Sequence, residues 1–285
     1  MALLAKAHAR SQVNGEWSPL VVESNSEFLM DQVNGLLTLV AFGVPFALPQ
    51  PTAPGAVVLS PAFPAIYGGY YSAFGSIFTH NDLALNPDVY ASRLATSFVY
   101  GAQMGWFSLG GVDHGPDLDT RCGPMHTLDA FMEEKHTPEV DYLRLLADSR
   151  SHMQRYFVHG RLMSPVIITP TPETFMAPNQ TIAPRNAGPF PTLSSSVWLA
   201  MQSSDPAVPE SLCVFLVAST ATAIPAAFAL NMTEYGFDPS TSSFQVSLIG
   251  RDGKATSVTS VSGTAVQLRR TVAGRSVEML EISPK

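Results

Sequence analysis

Acidic residues follow short apolar or aromatic segments at three places in the first half of the chain. Glu23 comes directly after the apolar residues 20–22, Asp82 lies in a His-Asn-Asp triplet, and Asp113 precedes a histidine. A carboxylate at the end of a strand can act as a general acid, a general base or a nucleophile. A loop carboxylate can accept two hydrogen bonds from neighbouring hydroxyl groups. We therefore take Glu23 as the candidate catalytic residue, with Asp82 and Asp113 as candidate ligand-binding residues.

Each of these acids also has a purely structural explanation. Glu23 could instead cap the N-terminus of a following helix, because the helix dipole favours a negative charge there. Asp82 and Asp113 could be solvated loop acids. The acidic stretch 113–119 lacks the loop glycine and the closing glutamate of an EF-hand, so no metal site is predicted. No Walker loop or dinucleotide fingerprint occurs, and no cofactor is predicted.

Three predicted strand-helix units position these acids. The predicted strands are residues 19–23, 62–67 and 104–109. The predicted helices cover residues 24–42, a segment from Pro87 to Gly101, and a long segment from Pro138 whose inner face includes Tyr142 and Tyr156. Alternation of strand and helix predicts parallel strands with helices outside, so the three acids should lie at one edge of the sheet.

The pattern changes after residue 164. Prolines recur through residues 165–190, which we interpret as an extended connector. Seven strand-like segments follow, at 196–201, 212–218, 223–230, 243–249, 255–261, 264–269 and 276–282. They predict an antiparallel β-sandwich over residues 191–285. We expect residues 186–285 to fold alone, because their strands carry their own turns.

Several segments resemble the end of a glycosidase-like (β/α)8 barrel followed by a β-sandwich. They are LVVESNSEFLMD with Gly35, PAIYGGY at 64–70, YGAQMGWF at 100–107, and the "L-x-x-x-R…Y-F-x-x-G" pattern within residues 143–160. In such proteins a strand ends in Glu, a strand with Tyr follows, and a "G-x-Q-x-G-W" strand closes the barrel. The resemblance implies that residues 1–164 form the last three β/α units of a TIM-type barrel.

This resemblance gives the candidate residues a chemistry. Glycoside hydrolysis needs two carboxylates, about 5 Å apart for retention of configuration and about 6.5–9.5 Å apart for inversion. Glu23 would be one of them, since catalytic groups of such barrels lie at the carboxyl ends of strands. Tyr67 and Trp106 offer aromatic faces for a sugar ring, and Gln103 adds an amide beside Trp106. These aromatic residues could instead belong to the core.

A complete barrel needs eight strands and about 250 residues. The resemblance therefore implies that the missing strands, and the second carboxylate, come from upstream sequence or from a barrel-completing partner chain. We expect a partial barrel to self-associate, because its sheet edges are open. Two functions stay open: an incomplete glycosidase catalytic domain, or a non-catalytic carbohydrate-binding or structural remnant. Whether the chain is an enzyme is not decided by its sequence.

Charge and composition narrow the partners. The formal net charge is −7, with no Lys/Arg cluster, which argues against nucleic acid. The uncharged stretches 35–79 and 211–230 are divided by prolines or hydroxyl residues, so no membrane span is predicted. Cys122 and Cys213 fall in different predicted domains, and no disulfide is expected. N-glycosylation sequons at Asn179 and Asn231 suggest a secretory-route parent protein, while no signal peptide is recognised.

Overall fold

The computed structural model describes residues 87–103, 134–176, 190–241 and 243–285, together with residues 65–66 and the backbone of five short strands nearer the N-terminus. These short strands are β1 Val21–Glu23, β2 Gly35–Leu37, β3 Ser72–Phe74, β4 Phe78–Thr79 and β5 Phe107–Ser108. Helix α1 spans Pro87–Val99, a 3-10 turn at Glu134–His136 leads into α2 at Thr137–His152, and α3 spans Gln154–Phe157.

The C-terminal half consists mainly of antiparallel strands. Their bounds are β6 Arg161–Met163, β7 Thr174–Phe175, β8 Phe190–Pro191, β9 Leu193–Met201, β10 Pro209–Ala218, β11 Ile224–Asn231, β12 Ser243–Ile249, β13 Ala255–Ser262, β14 Ala265–Val272 and β15 Val277–Pro284. Six of them form one sheet in the order β13-β12-β15-β10-β9-β6. All seven strand positions predicted after residue 191 are occupied by strands β9 to β15.

A second, two-stranded sheet packs on one face of the six-stranded sheet. It pairs β11 with β14 in antiparallel register, from Ile224 opposite Val272 to Asn231 opposite Ala265. Alternate residues of both sheets meet in a common apolar core, in which Val214, Phe228 and their neighbours are buried. This two-layer arrangement is the predicted antiparallel sandwich.

Helices cover the opposite face of the same large sheet. Strand β10 is buried along most of its length, and its residues alternate between two cores. Val214 faces β11 and β14, whereas Phe215 packs with residues of α1, α2 and α3. The sheet is thus the middle layer of three, with small strands on one side and helices on the other. This continuous burial explains the nearly unbroken apolar sequence of β10.

The proline-rich segment contributes to the sheets at several points. Strand β6, just before it, extends the large sheet by pairing Leu162 with Trp198. Within it, Thr169 forms an antiparallel bridge with Ala227, and β7 pairs with β8. The segment is therefore fastened to the sandwich at its described positions.

Two of the predicted N-terminal elements are wrong where the structure describes them. Residues 35–37, predicted as part of a helix, form strand β2, and residues 65–66, predicted as strand, are helical. Short apolar runs do not distinguish strand from buried helix, and Gly35 disfavours a helix interior. The helices predicted from Pro87 and Pro138 are present as α1 and α2. The remainder of the predicted 24–42 helix lies outside the described residues.

Candidate functional site

Glu23 is the last residue of β1, at the carboxyl edge of a small parallel sheet. The strands lie in the order β1-β2-β3, and the register aligns Glu23 with Leu37 and Leu37 with Phe74. Because all three strands run the same way, the segments that follow them leave from one edge. Ligand-binding groups of parallel sheets collect at this edge.

A second parallel pair precedes the two candidate binding acids. Strand β4 pairs with β5, with Phe78 opposite Phe107 and Thr79 opposite Ser108. In the sequence, Asp82 follows β4 by three residues and Asp113 follows β5 by five residues. Asp82, Asp113, Tyr67 and Trp106 themselves lie outside the described residues, so their roles stay predictions.

Gln103 is the candidate binding residue whose surroundings the structure describes. It is exposed, and it follows a well-formed end of α1. Gly101 adopts φ +74°, its N–H donates to Phe98 O at 2.9 Å, and the Ala102 N–H donates to Ser97 O at 3.0 Å. This pair of bonds is a Schellman motif, which favours glycine at the left-handed position.

The chain leading to Gln103 is held by two side chains from other elements. Arg150 of α2 donates from Nη2 to Gly101 O at 2.7 Å and from Nε to Ala102 O at 3.2 Å. Trp198 of β9 donates from Nε1 to Val99 O at 2.9 Å. These bonds satisfy carbonyl groups at the helix end that would otherwise lack partners. They fix where the segment containing Gln103 and Trp106 departs from α1.

The motif at residues 143–160 therefore has a structural role. In it, Leu146 and Tyr156 are fully buried, and Phe157 packs edge-on against Trp198 with ring centroids 5.2 Å apart. Burial lowers the pKa of Arg150, which also lies over the Phe157 ring at 5.7 Å. At Gly160 a Cβ atom would stand 2.4 Å from the backbone oxygen of Leu199, so no larger residue fits without a shift. The motif docks the helices on the sandwich.

A second polar cluster lies where α3 meets strands β10 and β15. The Tyr156 hydroxyl bonds to Glu281 and lies 2.7 Å from Ser211 Oγ, while Arg155 forms an ion pair with Glu281. Burial raises the pKa of Tyr156, and burial also raises the pKa of the neighbouring Cys213 thiol. At neutral pH both groups are therefore protonated, and neither is an activated nucleophile. The cluster satisfies polar groups at the sheet rather than forming a reactive centre.

Arg275 forms a third polar cluster, in the turn between β14 and β15. Its guanidinium lies 2.6 Å from Asp88 at the start of α1 and 3.8 Å from Glu139 in the first turn of α2. It also lies over the Tyr142 ring, 5.8 Å from the centroid. Neither Arg275 nor Glu281 was singled out from the sequence, because their partners are more than a hundred residues away.

Two searches of the described residues returned nothing. No group of three or more His, Cys, Asp or Glu side chains there could hold a metal ion. Within the same residues, no helix has both the length and the apolar character needed to cross a membrane.

Comparison with known proteins identifies a close sequence relative. The chain is 47% identical over 191 residues to "Putative glycoside hydrolase 22789" of Monosiga brevicollis, a match that covers 67% of this chain and 15% of the relative. The resemblance to glycoside-hydrolase-like proteins is confirmed. The glycosidase-like chain thus spans about a seventh of the length of the curated relative it matches. No family model matches it.

Among solved structures, similar chains are also glycosidases. The α-galactosidase MEL1 of Saccharomyces cerevisiae has a TM-score of 0.48 at 8% identity, covering 99% of this chain and 68% of that one. A GH27 β-L-arabinopyranosidase of Geobacillus stearothermophilus has a TM-score of 0.44 at 8% identity, covering 99% of this chain and 54% of that one.

Proposed function

We propose that this chain is the C-terminal part of a glycosidase-like catalytic unit that acts on or binds carbohydrate. Residues 1–164 would supply the last β/α units of a (β/α)8 barrel, residues 165–190 a connector, and residues 191–285 a β-sandwich. The 47% identity to a protein named as a glycoside hydrolase carries this proposal. The relative is much longer than the match, which is consistent with a barrel completed by further sequence or by a partner chain.

Glu23 is the proposed catalytic carboxylate of this unit. Its position at the carboxyl end of β1, in a parallel sheet, is the position that barrel enzymes use for catalytic groups. A second carboxylate, supplied by the completing segment, would stand across the scissile bond. One acid would protonate the leaving oxygen, and the other would attack the sugar carbon or activate a water.

The remaining candidates are proposed to bind the sugar. Asp82 and Asp113 follow the paired strands β4 and β5 and would accept hydrogen bonds from sugar hydroxyls. Tyr67 and Trp106 would stack on the ring, with Gln103 adding an amide. Arg150 and Trp198 do not contact substrate in this proposal; they anchor the chain from which Gln103 and Trp106 extend.

Activity assays on two lengths of chain test this proposal. We expect the 285-residue chain to hydrolyse none of a panel of nitrophenyl glycosides, because its catalytic acid lacks a partner. A chain extended by its natural upstream sequence should hydrolyse at least one of them. In that longer chain Glu23→Gln should lower kcat by about 10²–10⁴-fold, the usual contribution of a positioned acid or base.

Glu27→Gln is the matched control, since it removes a nearby carboxylate that is not predicted to be catalytic. It should leave kcat within a few-fold of the parent. Full activity of Glu23→Gln with a lowered melting temperature would assign Glu23 to helix capping. Robust turnover by the 285-residue chain would refute the incomplete-domain hypothesis.

The alternative is a carbohydrate-binding or structural remnant without chemistry. It is favoured by the presence of one strong carboxylate candidate where hydrolysis needs two. In that case the extended chain would also be inactive. Calorimetric titration with oligosaccharides would then distinguish binding from a purely structural role.

A further inference from the structure

Asn231, Met232 and Thr233 form an N-glycosylation sequon at the end of β11. The middle residue, Met232, is fully buried in the sandwich core, and its backbone N–H donates to Thr264 O at 2.9 Å. Asn231 is exposed and Thr233 is partly exposed. Burial of the middle residue therefore anchors the turn, while the residue that would carry a sugar stands at the surface.

Hydrogen bonds hold the two polar residues of this sequon together. The carbonyl oxygen Oδ1 of Asn231 accepts a bond from the Thr233 hydroxyl at 2.8 Å and a longer one from the Thr233 N–H at 3.4 Å. The amide nitrogen Nδ2 donates one proton to Glu234 Oε1 at 3.0 Å. Asn231 thereby caps the 3-10 turn at Met232–Tyr235 with its oxygen, not its nitrogen.

We propose that Asn231 is an N-glycan acceptor whose sugar the folded sandwich accommodates without rearrangement. Transfer would form a bond between the sugar C1 and Asn231 Nδ2 and would break the C1–O bond to a lipid-linked diphosphate donor. One Nδ2 proton and the lipid diphosphate leave. The second Nδ2 proton remains to bond Glu234, and Oδ1 remains to cap the turn, so the local hydrogen bonds survive modification.

Position in the fold also favours a bulky substituent here. In β11 the residues alternate between buried and more exposed positions, and Asn231 falls on the exposed set, beyond the last buried residue, Leu230. A glycan attached at this exposed position would extend into solvent. The other sequon, at Asn179, lies outside the described residues, so the experiment must separate the two sites.

The test directs the full chain into the endoplasmic reticulum of a eukaryotic cell with a cleavable leader. Molecules whose leader has been removed are purified, which establishes that they met the transferase. Peptide mass spectrometry after peptide-N-glycosidase treatment, which converts a glycosylated Asn to Asp, then reads Asn231 and Asn179 separately. We expect Asn231 to be occupied in folded, secreted molecules, with the same melting temperature before and after sugar removal.

Two substitutions at Thr233 give the matched pair, since both leave Asn231 in place. Thr233→Ser keeps the hydroxyl and should keep occupancy of Asn231, whereas Thr233→Ala should abolish it. Asn231→Gln should likewise abolish the Asn231 signal while leaving the signal from Asn179 unchanged. Leader-cleaved molecules with unmodified Asn231, or a glycan confined to aggregated molecules, would overturn the proposal.

Discussion

Replacing Phe215 with alanine should detach the helical layer from the sandwich. Phe215 is fully buried in the middle of β10, on the face that meets the helices. Its ring stacks on Phe157 at 4.7 Å and meets Phe98 edge-on at 5.8 Å. A third edge-on contact, at 6.1 Å, is made with Tyr156. One side chain thus joins α1 and α3 to the sheet.

The expected loss follows from these contacts. Truncating a buried phenylalanine to alanine costs about 3–5 kcal/mol, and aromatic pairs add about 0.5–1.5 kcal/mol beyond their buried area, which places Phe215→Ala near the upper end. At about 2–4 °C per kcal/mol for a chain of this size, the melting temperature should fall by roughly 6–20 °C. Hydrogen exchange should show selective loss of amide protection in α1 and α2.

Phe228→Ala is the matched control, because it makes the same truncation in the other core. It should also lower the melting temperature, but its loss of amide protection should be concentrated in β11 and β14. A melting temperature lowered by less than about 2 °C in Phe215→Ala would refute the docking role, as would identical exchange patterns in the two variants.

Three further predictions concern the buried polar groups. Arg275→Gln should destabilise the chain by about 1–3 kcal/mol in urea unfolding, because it leaves Glu139 only 10% exposed without its cation, whereas removing the exposed Arg144–Asp141 pair should cost under about 1 kcal/mol. In a Cys122→Ser chain, Cys213 should resist maleimide until denaturant is added, since burial raises its pKa; reaction at the native-state rate of a free thiol would contradict this. Stability should fall as pH rises above about 10, because the unfolded chain then loses phenol protons that the folded chain keeps, at up to about 1.4 kcal/mol per pH unit for each such phenol. The phenols whose pKa burial raises in this way include Tyr90, Tyr142 and Tyr156, and a tyrosinate absorbance that appears before unfolding would refute the assignment.

The sandwich strands could be predicted because their residues repeat every second position. β11 illustrates this, since its buried and more exposed residues alternate along its length, and glycines at 253 and 263 mark the flanking turns of β13 with positive φ. The N-terminal segments lack such a pattern, since short apolar pieces are compatible with strand or helix. The parallel alignment of Glu23 could be anticipated only as far as the end of its strand.

The docking of α1 could not be predicted from the sequence. Its contact with the sheet includes hydroxyl groups, with Ser92 donating to Pro191 O at 2.9 Å and Thr96 lying 3.4 Å from Ser194 Oγ. These partners are about a hundred residues apart in the chain. Local periodicity gives the buried face of a helix but does not identify what covers it. Arg150 is similar: its motif was visible, but its carbonyl partners were not.

The continuous burial of β10 has a consequence for recombining this chain with others. A segment cut at residue 186 or 191 would carry all seven sandwich strands, yet it would leave behind the helices that cover Trp198, Phe215 and Met279. The sequence pattern favours autonomous folding of that segment, whereas the packing favours an exposed apolar sheet face and aggregation. A transplant that keeps α1 and α2 should therefore behave better than the shorter one. Any gene fusion that moves the sandwich intact has to inherit both sides of its central strand.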